Sequence, residues 1–268
     1  MKRVYLFLTI ACIGLMANPL SAQRGLKVGA YFMPQATWLL NRDDLDVTDD
    51  DLLKYELTTG VAGGLTLGFN PGRFFGFRLN LAYSQQGQRL SYKRNFNERV
   101  NTTTRLEYIK LPFMIGLHSN PENQKIMVSV YGGIQPGFLT RAYVYDDNPE
   151  YVAPLPDTYT KEPKTWQLYE RFNFSLVGEF GLDIRLTEVL ALNLAVRGEH
   201  SVLDAENKDI TRRVTQNGVT TEELVWSDDR AKTRNAILGL RIGVTYTLIK
   251  EEEVVTPPVG GGGGVMGN

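Results

Sequence analysis

The chain has 268 residues, 43% of them hydrophobic, with 29 Lys and Arg against 30 Asp and Glu and a net charge of -1. That near-neutral balance carries no electrostatic footprint for nucleic acid, and the length suits one large β domain. Beyond the N-terminus no long apolar run recurs, which excludes a multi-helix membrane protein but not a barrel, whose strands are only half apolar.

Lys2 and Arg3 precede an apolar run from Val4 to Ala17, followed by Asn18-Pro-Leu-Ser-Ala-Gln23. A basic start, an apolar stretch and a small-residue site make a secretory signal over residues 1–22, with cleavage expected after Ala22. As an anchoring helix the run is short against the roughly 20 residues a span needs. Cys12, the single cysteine, lies inside the run, and lipoprotein cleavage before it would want an aliphatic residue where Thr9 stands. The mature chain is then expected to have no disulfide and no thiol chemistry.

Residues 23–250 are expected to form one β domain. Leu26 to Leu39 is a first strand, with Leu26, Val28, Ala30 and Phe32 on one parity. An acidic loop follows, containing Asp43, Asp44, Asp46, Asp49, Asp50 and Asp51. Leu57 to Phe69 alternates apolar residues against Thr58, Gly60, Ala62, Gly64, Thr66 and Gly68, and Asn70-Pro-Gly-Arg73 is a turn. The third strand, Phe75 to Tyr83, sets Phe75, Phe77, Leu79 and Leu81 against Arg78 and Asn80, and a polar continuation through Arg89 leads to a long connection around Lys93 to Thr103.

The fourth strand sets Ile109, Leu111, Phe113, Ile115 and Leu117 against Lys110, Met114 and His118. Ile126 to Thr140 is the fifth, and a Pro-rich polar segment runs from Asp146 to Lys164. The sixth, Arg171 to Arg185, alternates strictly: Phe172, Phe174, Leu176, Phe180, Leu182 and Ile184 on one parity, Arg171, Glu179, Asp183 and Arg185 on the other. A strand sends successive side chains to opposite faces, whereas a helix would smear this pattern around its circumference. The segment is long for a soluble sheet and suits a tilted bilayer crossing. Thr187-Glu188 is a minimal turn, Leu190 to Glu199 the seventh strand with Arg197 and Glu199 on the polar parity, and Leu238 to Leu248 the eighth with Arg241 on that parity; Asp204 to Thr233 between them is the longest loop.

Connections alternating long and short around eight strands are the outer-membrane pattern, with short turns and both termini expected in the periplasm. The fold expected is thus an all-β, eight-stranded antiparallel up-and-down transmembrane barrel. A soluble barrel of lipocalin type shares the strand count but packs its apolar parity inward. In the membrane reading Arg78, Lys110, Glu179, Asp183, Arg185, Arg197, Glu199 and Arg241 line the lumen, as a paired network or a narrow gated path.

Lys27-Val-Gly-Ala30, Tyr83-Ser-Gln-Gln-Gly87, Leu106-Glu-Tyr-Ile-Lys-Leu-Pro-Phe113 and Leu238-Gly-Leu-Arg-Ile-Gly-Val-Thr-Tyr246 together resemble the outer-membrane β-barrel domain family of Bacteroidetes, which includes PorT-like proteins. The resemblance covers nearly the whole mature chain. It implies a cell-envelope protein with no catalytic residues or cofactor to carry over, and, in its PorT-like form, a role assisting protein secretion. Outer-membrane lipid and lipopolysaccharide are the expected surroundings, with an envelope protein partner met through the surface loops or the tail. That tail, 251–268, departs from the family's usual aromatic chain end and is expected to be a flexible periplasmic linker or tether.

Other chemistry is thin. No metal-ligand spacing or nucleotide loop is present. A lipid-modifying enzyme would need His200 beside Ser201, yet neighbours in a strand point to opposite faces. The acidic loop is a candidate weak cation site, or simply a solvated run. Trp38, Trp166, Tyr55 and Tyr108 fall near outer strand ends, where amphipathic rings suit a membrane interface.

Overall fold

In the computed structural model, residues 25–44, 53–71, 74–95, 98–119, 125–146, 159–161, 165–216, 219–226 and 229–248 are described. The expected signal, the tail and Asp46, Asp49, Asp50 and Asp51 lie outside them. Eight strands form the wall: β1 Gly25–Leu40, β2 Thr58–Asn70, β3 Phe75–Asn95, β4 in two pieces Glu98–Lys110 and Phe113–His118, β5 Ile126–Asp146, β6 Phe172–Arg185, β7 Leu190–Ser201 and β8 Arg234–Thr247. Each pairs antiparallel with its neighbours in sequence, and β8 pairs with β1, so the sheet closes into an eight-stranded barrel. Closure leaves no unpaired edge, which an open sheet could not avoid in hydrocarbon.

Two prolines mark the gaps in the ladders. Pro112 cannot donate a ladder hydrogen bond, and β4 breaks there, with Asn80 N donating to Pro112 O at 2.9 Å and Leu111 N to Pro136 O at 2.9 Å. The β1–β8 pairing likewise skips Met33 and Pro34.

The polarity is that of a membrane barrel. Phe32, Leu65, Phe75, Leu81, Ile115, Val130, Leu176, Phe180, Leu240 and Val244 are exposed on the outer wall, while Arg78, Asn80, Gln135, Glu179, Asn193, Arg197 and Arg241 are buried inside. A water-soluble barrel would reverse these sets.

The expected boundaries shift in three places. Gln85 to Asn95, expected partly as a connection, continues β3, and Glu98 onward is already β4, so the two make one long ribbon paired as far as Asn95 and Glu98. The strand Leu53–Glu56 adds to this ribbon beside Arg89 to Tyr92. The longest expected loop contains a hairpin, Thr211–Gln216 with Val219–Leu224, which pairs with Tyr159–Lys161.

Tyr131 shows how the interior is fitted. Its ring lies over Gly116 and its hydroxyl comes within 2.6 Å of where a Cβ on Gly76 would sit, while the Arg78 guanidinium stacks on it at 3.9 Å. Gly132, on the opposite parity, has open space around it. Gly116→Ala is therefore expected to lower unfolding free energy by about 1–3 kcal/mol through overpacking, and Gly132→Ala to change it by less than about 0.5 kcal/mol. Urea unfolding in detergent micelles, followed by heat-modifiable gel mobility, reads both; equal effects would mean that Tyr131 moves aside freely.

Candidate functional site: the lumen network and its cap

Two carboxylates organise the interior. Glu179 on β6 accepts through Oε1 from Arg78 on β3 and from Arg241 Nη1 on β8 at 3.4 Å, and its Oε2 lies 3.8 Å from Arg197 Nη1 on β7. Glu199 on β7 accepts from Lys110 Nζ at 2.7 Å, Gln135 Nε2 at 2.7 Å and Arg197 Nε at 2.9 Å. Gln135 Oε1 accepts from Arg197 Nη2 at 2.5 Å, and Gln86 Oε1 from Lys110 at 2.8 Å. Arg241 also donates to Thr66 Oγ1 on β2 at 2.9 Å and stacks 4.5 Å over Tyr31 on β1. Thr66 in turn donates to Asn80 Oδ1 at 2.7 Å. All eight strands are tied to one polar web.

The small residues on the inner face of β2 make room for this, since Arg241 reaches across to Thr66 over a wall that carries no long side chain there. The web is dry enough to matter: Arg197 and Arg241 are each 1% exposed. An ion buried so deeply is tolerated only when it is paired, and both guanidinia lie against Glu179 although Arg197 Nη1 and Arg241 Nε make no hydrogen bond.

Of the eight residues expected in the lumen, six meet in this network: Arg78, Lys110, Glu179, Arg197, Glu199 and Arg241. Asp183 and Arg185 do not join it; they are half-buried at the short-turn end, where Asp183 accepts from Asn193 Nδ2 at 2.5 Å. A cavity of about 30 Å³ lies there among Lys27, Arg78, His118, Tyr131, Asp183 and Asn193, enough for a water or two. Gln35, Thr66, Gln86, Gln135, Tyr31 and Tyr131 complete the interior, and each shares the inward parity of its strand, which is the signal that would have found them.

The long-loop end is closed by different chemistry. Leu39, Leu106, Tyr108, Ala142, Tyr169 and Ala205 form an apolar plug, with Leu139 and Leu168 packed against it. Tyr108 is thus not the interface residue expected; it shares the inward parity of Lys110 and is fully buried. Trp38 does face outward and is half-buried, Tyr55 sits in the short strand beside the ribbon, and the side chain of Trp166 lies outside the described ones.

Over this plug, Arg230 clasps two loops. Its guanidinium holds Asp44 through two bonds of 3.0 Å and Glu206 through bonds of 2.8 and 3.1 Å. Burial opposes the charge on Arg230, but Glu206 and Asp44 outweigh it and hold the group protonated above its usual range. Asn41 Nδ2 donates to Ala231 O and Thr233 Oγ1, both at 2.8 Å, and Asp43 accepts from Ala231 N at 2.7 Å. The two described carboxylates of the acidic loop, Asp43 and Asp44, are thus engaged by protein donors. Among the described residues no group of three or more His, Cys, Asp or Glu is placed to hold a metal ion.

A family model described as outer membrane protein beta-barrel domain matches residues 20–205, more than half of the chain. The protein belongs to this outer-membrane β-barrel family. Its barrel resides in the outer membrane, among lipid and lipopolysaccharide. Solved structures similar to it include OprG of Pseudomonas aeruginosa, 12% identical, with 85% of this chain and 98% of OprG covered and a TM-score of 0.45. Neisserial surface protein A is 10% identical over 83% of this chain and 96% of its own, TM-score 0.41. Ail of Yersinia pestis is 8% identical over 84% and 100%, TM-score 0.37. No curated protein matches the sequence. These likenesses carry no inference about activity.

Within this outer-membrane barrel His118 is buried beside the short-turn cavity, and His200 is exposed on the outer wall. Ser201 is buried on the other face, accepting from Asn235 N at 2.9 Å and donating to Leu203 O at 3.2 Å.

Glu179→Gln leaves three buried arginines without their shared anion and is expected to cost about 3–5 kcal/mol, read by urea unfolding in micelles. Adding Arg241→Met should return part of that loss; an unaltered single variant would mean that the network does not hold the barrel. For the cap, Arg230→Met is expected to speed amide exchange at residues 41–44 and 204–207 about tenfold or more while the wall strands keep their protection. Exchange unchanged at those loops would show that the clasp is not made by Arg230.

Proposed function

We propose that this outer-membrane barrel is an interaction or assembly component of an envelope complex, not a conduit and not an enzyme. The observation that carries the reading is the filled interior: a polar web across the middle, an apolar plug at one end and a cavity of about 30 Å³ at the other. An eight-stranded barrel has an interior just wide enough for side chains to fill. Among the described residues the web and the plug leave no path for a solute, so the exterior and the loops are the surfaces left for function.

The long-loop end carries the extended β3–β4 ribbon, the added strand Leu53–Glu56 and the hairpin Thr211–Gln216 with Val219–Leu224. Ordered structure beyond the wall suits recognition better than it suits passage. In this reading the long loops face outside, both termini lie in the periplasm, and the tail after Lys250 is the docking element, with assistance to protein secretion, as in PorT-like proteins, as its specific form. The non-enzymatic reading is supported by His200 and Ser201 pointing to opposite faces of the wall. The channel reading would need the Glu179 and Glu199 pairs to part and the plug to leave.

Tagged full-length protein, extracted from outer membranes in mild detergent, is expected to bring down a stoichiometric envelope protein, and a version truncated after Lys250 to lose it. Recovery of free barrel from both would overturn the assembly role.

A further inference from the structure

The outer face of β3, β4 and β5 changes character abruptly at one level. Below it the outward residues are Leu79, Leu81 and Tyr83 on β3, Ile109 on β4 and Ile134 and Phe138 on β5, with Phe138 packed on Phe172 of β6 at a centroid distance of 5.4 Å. The next outward row is Gln85, Glu107 and Arg141, set side by side by the register, and the row above it Gly87, Arg105 and Tyr143. Thr140 is the extra residue at the bulge just below the first of these rows, between Leu139 and Arg141, its hydroxyl donating to Glu107 O at 2.9 Å.

Glu107 is unusual on a lipid-facing parity because it is only 8% exposed. Gln85 Nε2 donates to its carboxylate at 3.5 Å, and the Tyr83 hydroxyl interacts with it. Its burial leaves the guanidinia of Arg105 and Arg141 as the exposed charges of this surface. The two sit on a cross-strand diagonal, a separation of about 7–8 Å that long side chains close. Arg89, further along, is matched by Glu56 at 3.0 Å. Among the described residues, neither Arg105 nor Arg141 forms an ion pair with a carboxylate. Tyr143 and Tyr145 stack beside them at 6.0 Å.

Two exposed guanidinia directly above a hydrocarbon band, flanked by amphipathic tyrosines, match an anion fixed at headgroup depth with acyl chains running down the wall. Guanidinium forks bind phosphate oxygens in pairs, which a lysine cannot do. We propose that Arg105 and Arg141, with Tyr83 and Tyr143, form a docking site for a lipid A phosphate of the outer leaflet. Glu107 positions the pair by holding the row below in place, and Leu81, Ile109 and Phe138 receive the acyl chains. The assignment of leaflet rests on the proposed orientation, with the long loops outside.

The test uses purified full-length protein in micelles, titrated with bisphosphorylated lipid A, dephosphorylated lipid A and phosphatidylglycerol, with bound lipid counted by native mass spectrometry. Retention of bisphosphorylated lipid A is expected to exceed that of the other two about tenfold, as two charge-assisted contacts would give. Arg105→Ala with Arg141→Ala should abolish the preference, Arg141→Gln alone should reduce it about threefold, and Arg42→Ala with Arg234→Ala, exposed elsewhere on the same rim, should leave it intact. Gel mobility after heating reports that each variant is folded, and the single variant serves if the double one is not. Equal retention of phosphorylated and dephosphorylated lipid A overturns the site, as does a preference that survives loss of both arginines; phosphatidylglycerol bound as well as lipid A overturns the choice of ligand. Surface proteolysis of whole cells reads the orientation separately, because an inverted barrel would end the leaflet assignment without altering the titration.

Discussion

Glu179 and the three arginines around it state the constraint under which the whole molecule is built. A chain that crosses hydrocarbon must pair every backbone group within itself, so the sheet closes on itself and its outer face becomes apolar. The polar parity of each strand then has nowhere to go but inward. Six charged side chains of one web share that space, and four are cations against two carboxylates, so each carboxylate must serve several partners at once. Gln135, Gln86 and Thr66 add hydrogen bonds to Arg197, Lys110 and Arg241, and the rings of Tyr31 and Tyr131 lie against the Arg241 and Arg78 guanidinia. A cation over an aromatic face is worth most where water is excluded, as it is here.

The interior is layered along the barrel axis, and the layers explain one another. Apolar packing at the long-loop end, with Tyr108 and Leu106 fully buried, keeps water from the web beneath it. That exclusion strengthens the web's ion pairs and makes any unpaired member costly. Arg230 then holds the loops over the plug from outside, by a bidentate grip on Asp44 and a second on Glu206. Near the short turns the packing is looser, and a cavity remains between Lys27 and Asp183. A barrel closed in this way offers partners its wall, its loops and its ends, which is why recognition is the function proposed for it.

The wall was legible in the sequence because hydrocarbon on one side and water or ions on the other impose a period of two. β6 and β8 show this plainly, since Phe172 to Ile184 and Leu238 to Val244 keep one parity apolar without a break. The same physics explains where the pattern ends. Beyond the membrane the β3–β4 ribbon has no hydrocarbon to face, so the stretch around Lys93 to Thr103 reads as a connection although Lys93 to Asn95 and Glu98 to Thr103 are strand. Tyr108 lies near a strand end, but the parity it shares with Lys110 decides its side and buries it. Membership of the lumen was legible residue by residue, but partnership was not. Glu179 and Arg197 face each other in the register, whereas Arg78 and Arg241 reach Glu179 across 101 and 62 residues of chain. The Asp44 to Arg230 grip joins residues 186 apart, and no local pattern announces it.

Everything inside the wall depends on an interior that is packed rather than open. Planar-bilayer recording of the purified full-length protein measures that directly, with folded barrel verified by its heat-dependent gel mobility. A packed interior predicts a bilayer that stays electrically silent across the voltages it can withstand. Discrete, reproducible conductance steps that disappear with unfolded protein would contradict it, and would mean that the Glu179 and Glu199 pairs part to open a path.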